Sequence, residues 1–169
     1  MTRFGVMRAA AVCALSAGAG ALLLMVPPAA VQAKEPPAKP PAQSVAKKAH
    51  RVVVQVDSDD SALMTLALNN ATNIEQYYKE LGEPVQIEIV AFGAGLNMLR
   101  EDTSPVKDRI KAIADKTSSI SFKACGNTEE KMGKAENKKI PIISQATVVK
   151  SGVVRIIELQ EQGWTYVRP

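Results

Sequence analysis

"RVVVQVDSDD" (residues 51–60) decides the fold. Four valines within six residues make a near-continuous apolar, β-branched run. Such a run predicts a strand covered on both faces, since a strand with one wet face would alternate. The polar turn behind it offers Ser58 and Asp59 as helix N-cap candidates, with a further acid at Asp60. A helix is then predicted to about Leu81. Leu63, Leu66, Ala67, Ile74, Tyr77 and Leu81 fall on one side of it, and Gly82 ends it. Met64, Leu68 and Ala71 make its opposite side apolar as well, which hints at a helix covered twice, by the core and by another subunit.

The same alternation continues downstream. "PVQIEIVAF" (84–92) reads as a second strand and "SPVKDRIKAIADK" (104–116) as a short amphipathic helix. Pro105 suits the first position of that helix, and Val106, Ile110 and Ile113 form its stripe. "SISFKAC" (119–125) is a third strand, followed by a short polar helix from Thr128 to Lys138. "ATVV" (146–149) is the fourth strand. "SGVVRIIELQEQG" (151–163) is a helix with Arg155, Glu158 and Gln162 on its wet side, and "WTYV" (164–167) is a closing strand. Strands alternating with helices imply right-handed crossovers. The fold class is α/β: three layers around a mostly parallel five-stranded sheet, flavodoxin-like, over residues 50–169.

Upstream the composition changes. Arg3 and Arg8 precede an uncharged apolar run from Ala9 to Val26, Pro27 and Pro28 break it, and Val31-Gln32-Ala33 places small residues at a cleavage site. That order is a secretory signal peptide over residues 1–33. A retained anchor is the alternative, because the 18 residues from 9 to 26 reach the lower limit for spanning a bilayer. Cleavage leaves a periplasmic protein that meets the membrane only during export, and Cys13 departs with the leader. Residues 34–49, "KEPPAKPPAQSVAKKA", form a Pro/Ala/Lys-rich spacer.

These ends explain the charge. The whole chain has 21 Lys and Arg against 17 Asp and Glu, a net of +4. From residue 50 onward the count is 15 against 16, a net of −1. The folded part therefore has no basic surface for nucleic acid, and aromatics at 4% leave few stacking platforms. Nucleic acid is excluded as a partner.

In a parallel α/β sheet, ligands sit beyond the carboxyl ends of the strands. Four places qualify: Asp57 to Asp60, Gly93-Ala94-Gly95, Cys125-Gly126-Asn127 and Lys150-Ser151-Gly152. Cys125 is the cysteine that survives cleavage of the leader, and an unpaired cysteine in an exported chain points to a reactive thiol or an intermolecular bond. A helix starting just behind it, capped by Asn127 or Thr128, would favour the thiolate, with Gly126 allowing a tight turn and Lys123 on the same strand face. The competing reading is a buried, inert cysteine.

His50, the lone histidine, stands at the spacer junction and reads as a solvated edge residue, which leaves no base for protease-type acyl transfer. Asp57, Asp59 and Asp60 resemble a Mg²⁺ pocket, but capping and dipole matching explain them better. "GAGLNM" (93–98) imitates a dinucleotide loop without its third glycine. A backbone turn towards the Cys125 crevice is its expected use. Asn70 is expected in a structural hydrogen bond or a subunit contact. No metal or cofactor is expected, and soft-metal binding by Cys125 near Met98 or Met132 is the weakest alternative.

"FKACGNT" (122–128), "SGVVRIIELQEQGWTYVRP" (151–169) and "EIVAFGAGLNML" (88–99) carry a resemblance, over nearly all of residues 50–169, to the DsrE/DsrF-like family. The resemblance implies a parallel α/β fold in a homo-oligomer, a trimer or hexamer, with sulfur carried as a cysteine persulfide between donor and acceptor proteins. The family's cysteine falls on Cys125. Asp57, Gly93, Gly95, Gly126, Asn127 and Thr128 are the substrate-binding candidates around it. Relatives often have His before the glycine matching Gly93, whereas here it is Phe92. An exported chain also has no tRNA to thiolate. The expected function is a periplasmic sulfur carrier or sulfurtransferase-like protein acting through Cys125. A non-catalytic oligomeric module binding a small ligand or a protein, with a structural cysteine, is the alternative.

Overall fold

A computed structural model describes residues 49–169. The signal peptide expected over residues 1–33 and residues 34–48 of the expected spacer lie outside the described residues. The elements run β1 (His50–Val56), α1 (Ser61–Glu80), β2 (Val85–Ala91), a 3-10 helix (Gly93–Leu99), α2 (Lys107–Ala114), β3 (Ile120–Cys125), α3 (Gly126–Glu136), β4 (Ala146–Val149), α4 (Gly152–Glu161) and β5 (Thr165–Val167). The five strands pair in the order β4-β3-β2-β1-β5, all parallel. The three-layer α/β fold is therefore as the alternation of elements requires.

The strand order divides the helices unequally. From β1 to β4 each step goes the same way along the sheet, and the last step returns to the far edge. Right-handed crossovers then put α1, α2 and α3 on one face and α4 alone on the other. Both cores follow. Val52, Val54, Val56, Ile87, Ile89, Phe122 and Ala124 point towards the three helices with Met64, Leu68, Met98 and Ile110. Val53 and Val90 point the other way, against Ile156 and Leu159, with Phe92 and Trp164 at the margin. Among the described residues no helix is long and apolar enough to cross a membrane.

Three details differ from the sequence expectation. In α1 the core takes Met64, Ala67, Leu68 and Ala71, while Leu66, Tyr77 and Leu81 are 45%, 60% and 50% exposed. The small side chains of Ala67 and Ala71 let the helix settle on the sheet, which the bulkier stripe would not. Its cap is Asp60, whose carboxylate accepts the Ala62 N–H at 2.8 Å; Ser58 accepts the Asp60 N–H instead. Next, α2 begins at Lys107 behind Val106, so Pro105 lies before the helix. Finally, α3 begins two residues early, at Gly126, with Cys125 itself as the N-cap residue. Gly126 and Asn127 are thus helical rather than a turn, and Asn127 and Thr128 are not caps.

One polar cluster ties the far end of α3 to the rest of the domain. Arg100 is buried, and its guanidinium donates to both Asp102 and Glu136, which Lys138 also reaches. The Arg100 guanidinium holds Glu136 down at about 2, from an ordinary 4.5, and drives Asp102 well below the carboxylate range. A carboxylate with a depressed folded pKa stabilises the fold above its unfolded value and loses that contribution as pH falls through the folded one. The denaturation midpoint should therefore be flat above about pH 5 on this account and fall between about pH 4.5 and 2. In Glu136→Gln that fall should be shallower, as chemical denaturation at several pH values would read. An unchanged slope would contradict the assignment.

Candidate functional site

Cys125 closes β3 and opens α3. It therefore stands at the N-terminal end of that helix, where the macrodipole favours an anion. The fourth strand brings a second helix start to the same place, because β4 pairs with β3 through Cys125↔Val149 and α4 begins three residues after that partner. Around the thiol, the Thr128 hydroxyl and the N–H groups of Gly152, Thr128 and Asn127 favour the anion. Asn127 N–H donates to the Lys150 carbonyl at 3.1 Å. Burial pushes the thiol up. The Thr128 hydroxyl, then the amides of Gly152, Thr128 and Asn127, outweigh it, and the thiol is held below its ordinary value of 9.0.

Gly152 makes this convergence sterically possible. A Cβ built on it would stand 2.9 Å from Phe92 Cβ and 3.2 Å from Cys125 Cβ, so any side chain would push the start of α4 off the sulfur. Phe92, standing where relatives by resemblance often have His, lies beside Cys125 on the cleft wall and offers no proton acceptor.

Cys125 is 4% exposed, yet it lies on the wall of a cleft of about 440 Å³ with Phe92, Asn127, Thr128, Ser151 and Val153. Lys131, Lys134 and Glu130 complete the cleft. Lys134 pairs with Glu130 at 2.5 Å, and Lys131 leaves the wall with one net positive charge. A small anion fits such a wall better than a cation.

Not every expected ligand residue reaches this cleft. Asn127 and Thr128 line it. Gly93 adjoins it, its N–H donating to the Thr128 hydroxyl oxygen at 3.0 Å. Gly126 packs on β4, where an added Cβ would meet the Val149 carbonyl at 3.2 Å. Asp57 is not among the lining residues; its carboxylate accepts from Gln55 and from Arg168 near the C-terminus. Gly95 is not among them either and serves the close packing of the 3-10 helix on β1. Lys123 lies on the same strand face as Cys125 but does not line the cleft. Ser151 and Gly152 belong to a strand end already singled out, but their convergence with α3 on one sulfur has no signature in spacing.

His50 starts β1, at the opposite end of the sheet from Cys125. Register places about seven residues between those ends, or roughly 20 Å. Its ring pairs with Glu83 at 2.9 Å and stacks on Tyr78, so a Cys–His dyad is ruled out by topology. Met98 is sealed in the larger core and cannot join Cys125 around a soft metal. Among the described residues no group of three or more His, Cys, Asp or Glu is placed to hold a metal ion.

A solved structure titled as a protein of unknown function, MTH1491 from Methanobacterium thermoautotrophicum, is 32% identical in sequence, covering 71% of this chain and 99% of its own, with a TM-score of 0.60. The chain belongs to the same family as that archaeal protein. No protein-family model matches the chain, and no curated protein does.

Proposed function

We propose that the protein is a sulfur carrier or sulfurtransferase-like protein that holds sulfur as a persulfide on Cys125. The observation that carries this proposal is the position of Cys125 at the N-terminus of α3, packed beside Gly152 at the start of α4, where the surrounding hydroxyl and amides hold the thiol below its ordinary value. Such a site stabilises an anion on sulfur, and the thiolate is the nucleophile in sulfur exchange. The resemblance to the DsrE/DsrF-like family and the leader expected over residues 1–33 support a periplasmic setting. The apolar side chains left exposed on α1 and α4 support a homo-oligomer.

The chemistry balances without an external oxidant. The Cys125 thiolate attacks the outer sulfur of a persulfide, polysulfide or thiosulfate. The new S–S bond forms as the donor's S–S bond breaks, and the donor leaves as a thiolate or sulfite with the electron pair. An acceptor thiolate then attacks the outer sulfur, and Cys125 leaves as the thiolate into the same amides that held it at the start. Those donors favour the resting and the leaving state alike.

Incubation with polysulfide, followed by intact mass and peptide mapping, tests this. The Cys125 peptide should gain about 32 Da per added sulfur, and Cys125→Ser should gain none there. Equal loading of the serine variant, or no loading of the natural chain, would overturn the proposal.

A second reading keeps a specific observation, the near-complete burial of Cys125. In that reading the cleft holds a small ligand or a partner segment and the cysteine is structural. It requires alkylation of Cys125 in the native protein to be slow at every pH.

A further inference from the structure

We infer that Lys131 selects the reactants of Cys125 by charge, so that the sulfur donor taken by the cleft is a small sulfane anion of the thiosulfate class. The inference rests on the proposed carrier role of Cys125 and adds the chemical class of its donor.

Asn127, Lys131 and Lys134 are spaced by four and three residues on α3, so one side of that helix lines the cleft. The charged residues of the cleft wall are Glu130, Lys131 and Lys134. Lys134 is held by Glu130 at 2.5 Å. The ion pairs among the described residues leave Lys131 without a carboxylate. Phe92, Ser151 and Val153 bring no charge to the wall. The adjoining groove has no such surplus. Lys150, Arg155 and Glu158 line it, and Arg155 pairs with Glu88 as well as Glu158, which sets two cations against two anions. The positive excess therefore belongs to the cleft that Cys125 lines.

That excess has a chemical use. A thiolate and a sulfane anion repel each other, and a cation beside both offsets the repulsion by an amount that falls with salt. A cleft of about 440 Å³ is of small-molecule size. In thiosulfate the outer sulfur is the one transferred and the sulfonate is the leaving group. The Cys125 thiolate attacks the outer sulfur, a new S–S bond forms as the donor's own breaks, and sulfite departs with the electron pair. Negative charge grows on the sulfonate end as that bond breaks, so a lysine in the cleft favours departure as well as entry.

Iodoacetate and iodoacetamide alkylate the same thiolate and differ mainly in charge, so a change in thiolate population cancels in the ratio of their rates. The ratio is measured at Cys125 in the full chain at low salt, by peptide mapping, for the natural protein, Lys131→Met and Lys131→Arg. Methionine keeps the stem and the helix preference and removes the charge; arginine keeps the charge. In Lys131→Met the ratio of iodoacetate to iodoacetamide should fall about fivefold. At about 0.5 M salt the difference from the natural protein should largely vanish. Lys131→Arg should keep the natural ratio. A lysine that merely packs would, when replaced, change both rates together. Loading of the Cys125 peptide from thiosulfate, read by mass, should slow about fivefold in Lys131→Met. An unmoved ratio in methionine, an equal fall in methionine and arginine, or a Cys125 that neither reagent reaches overturns the inference. A natural chain that loads from polysulfide and not from thiosulfate overturns the donor class. A ratio that responds in a protein taking up sulfur from no donor retains charge selection by Lys131 and removes the carrier function.

Discussion

Gly95→Ala is expected to cost more stability than any other glycine replacement in the described residues. A Cβ at residue 95 would lie 2.3 Å from the Val56 carbonyl oxygen, 2.6 Å from its carbon and 2.8 Å from the Asp57 nitrogen. These are backbone atoms at the end of a central strand, so no side-chain rotation relieves the clash. Either the 3-10 helix lifts off or β1 shifts against β2 and β5. Leu96, Met98 and Leu99, all in the larger core, would move with the helix. Overpacking against a rigid neighbour costs about 3 kcal/mol or more, of a total that rarely exceeds about 15 for a domain of this size. Thermal denaturation should show a fall of about 10 °C or loss of the folded state. Gly82→Ala is the control, since Gly82 has φ +63 but nothing within 4 Å of an added Cβ. It should cost only about 1–2 kcal/mol from backbone strain. Equal midpoints for the two variants would refute the close-packing account.

Arg155→Met should be nearly as severe, for an electrostatic reason. Glu88 is 4% exposed in the middle of β2. It is held by two hydrogen bonds from Arg155, at 2.6 and 3.0 Å. Removing the guanidinium leaves a carboxylate facing Val53 and Val90 on the only strand face that α4 covers. Breaking a buried pair on one side costs about 3 kcal/mol, because the remaining charge is uncompensated. The double variant Glu88→Met with Arg155→Met should recover most of the loss, since apolar replacement of a whole pair is often neutral. A single variant as stable as the natural protein would show that the pair does not anchor α4. Arg155 lies near the start of α4, the helix whose Gly152 packs closely against Cys125.

Much of the architecture was legible because it rests on local signals. β-branched runs, a glycine or polar residue behind each strand, and helices between them leave few alternatives to a parallel sheet. The face of α1 was misread for an equally physical reason. That helix is apolar on two sides, and periodicity cannot tell which side meets a sheet when small alanines rather than large leucines permit the approach. The start of α3 was read two residues late because Gly126 and Asn127 look like a turn. Only packing on β4, with the Asn127 N–H given to the Lys150 carbonyl, draws them into the helix.

Along the chain itself, the alternation of elements fixed a parallel α/β domain and set one cysteine at the end of its third strand. What surrounds that cysteine was decided in three dimensions. The second helix start beside it, the bond from the Gly93 N–H to the Thr128 hydroxyl 35 residues away, the burial of Met98 in the larger core and the placing of His50 at the far end of the sheet all depend on strand order. Periodicity is a property of neighbours in sequence. Convergence of dipoles on one atom is a property of neighbours in a sheet, and those are chosen by crossovers that no short stretch of residues records.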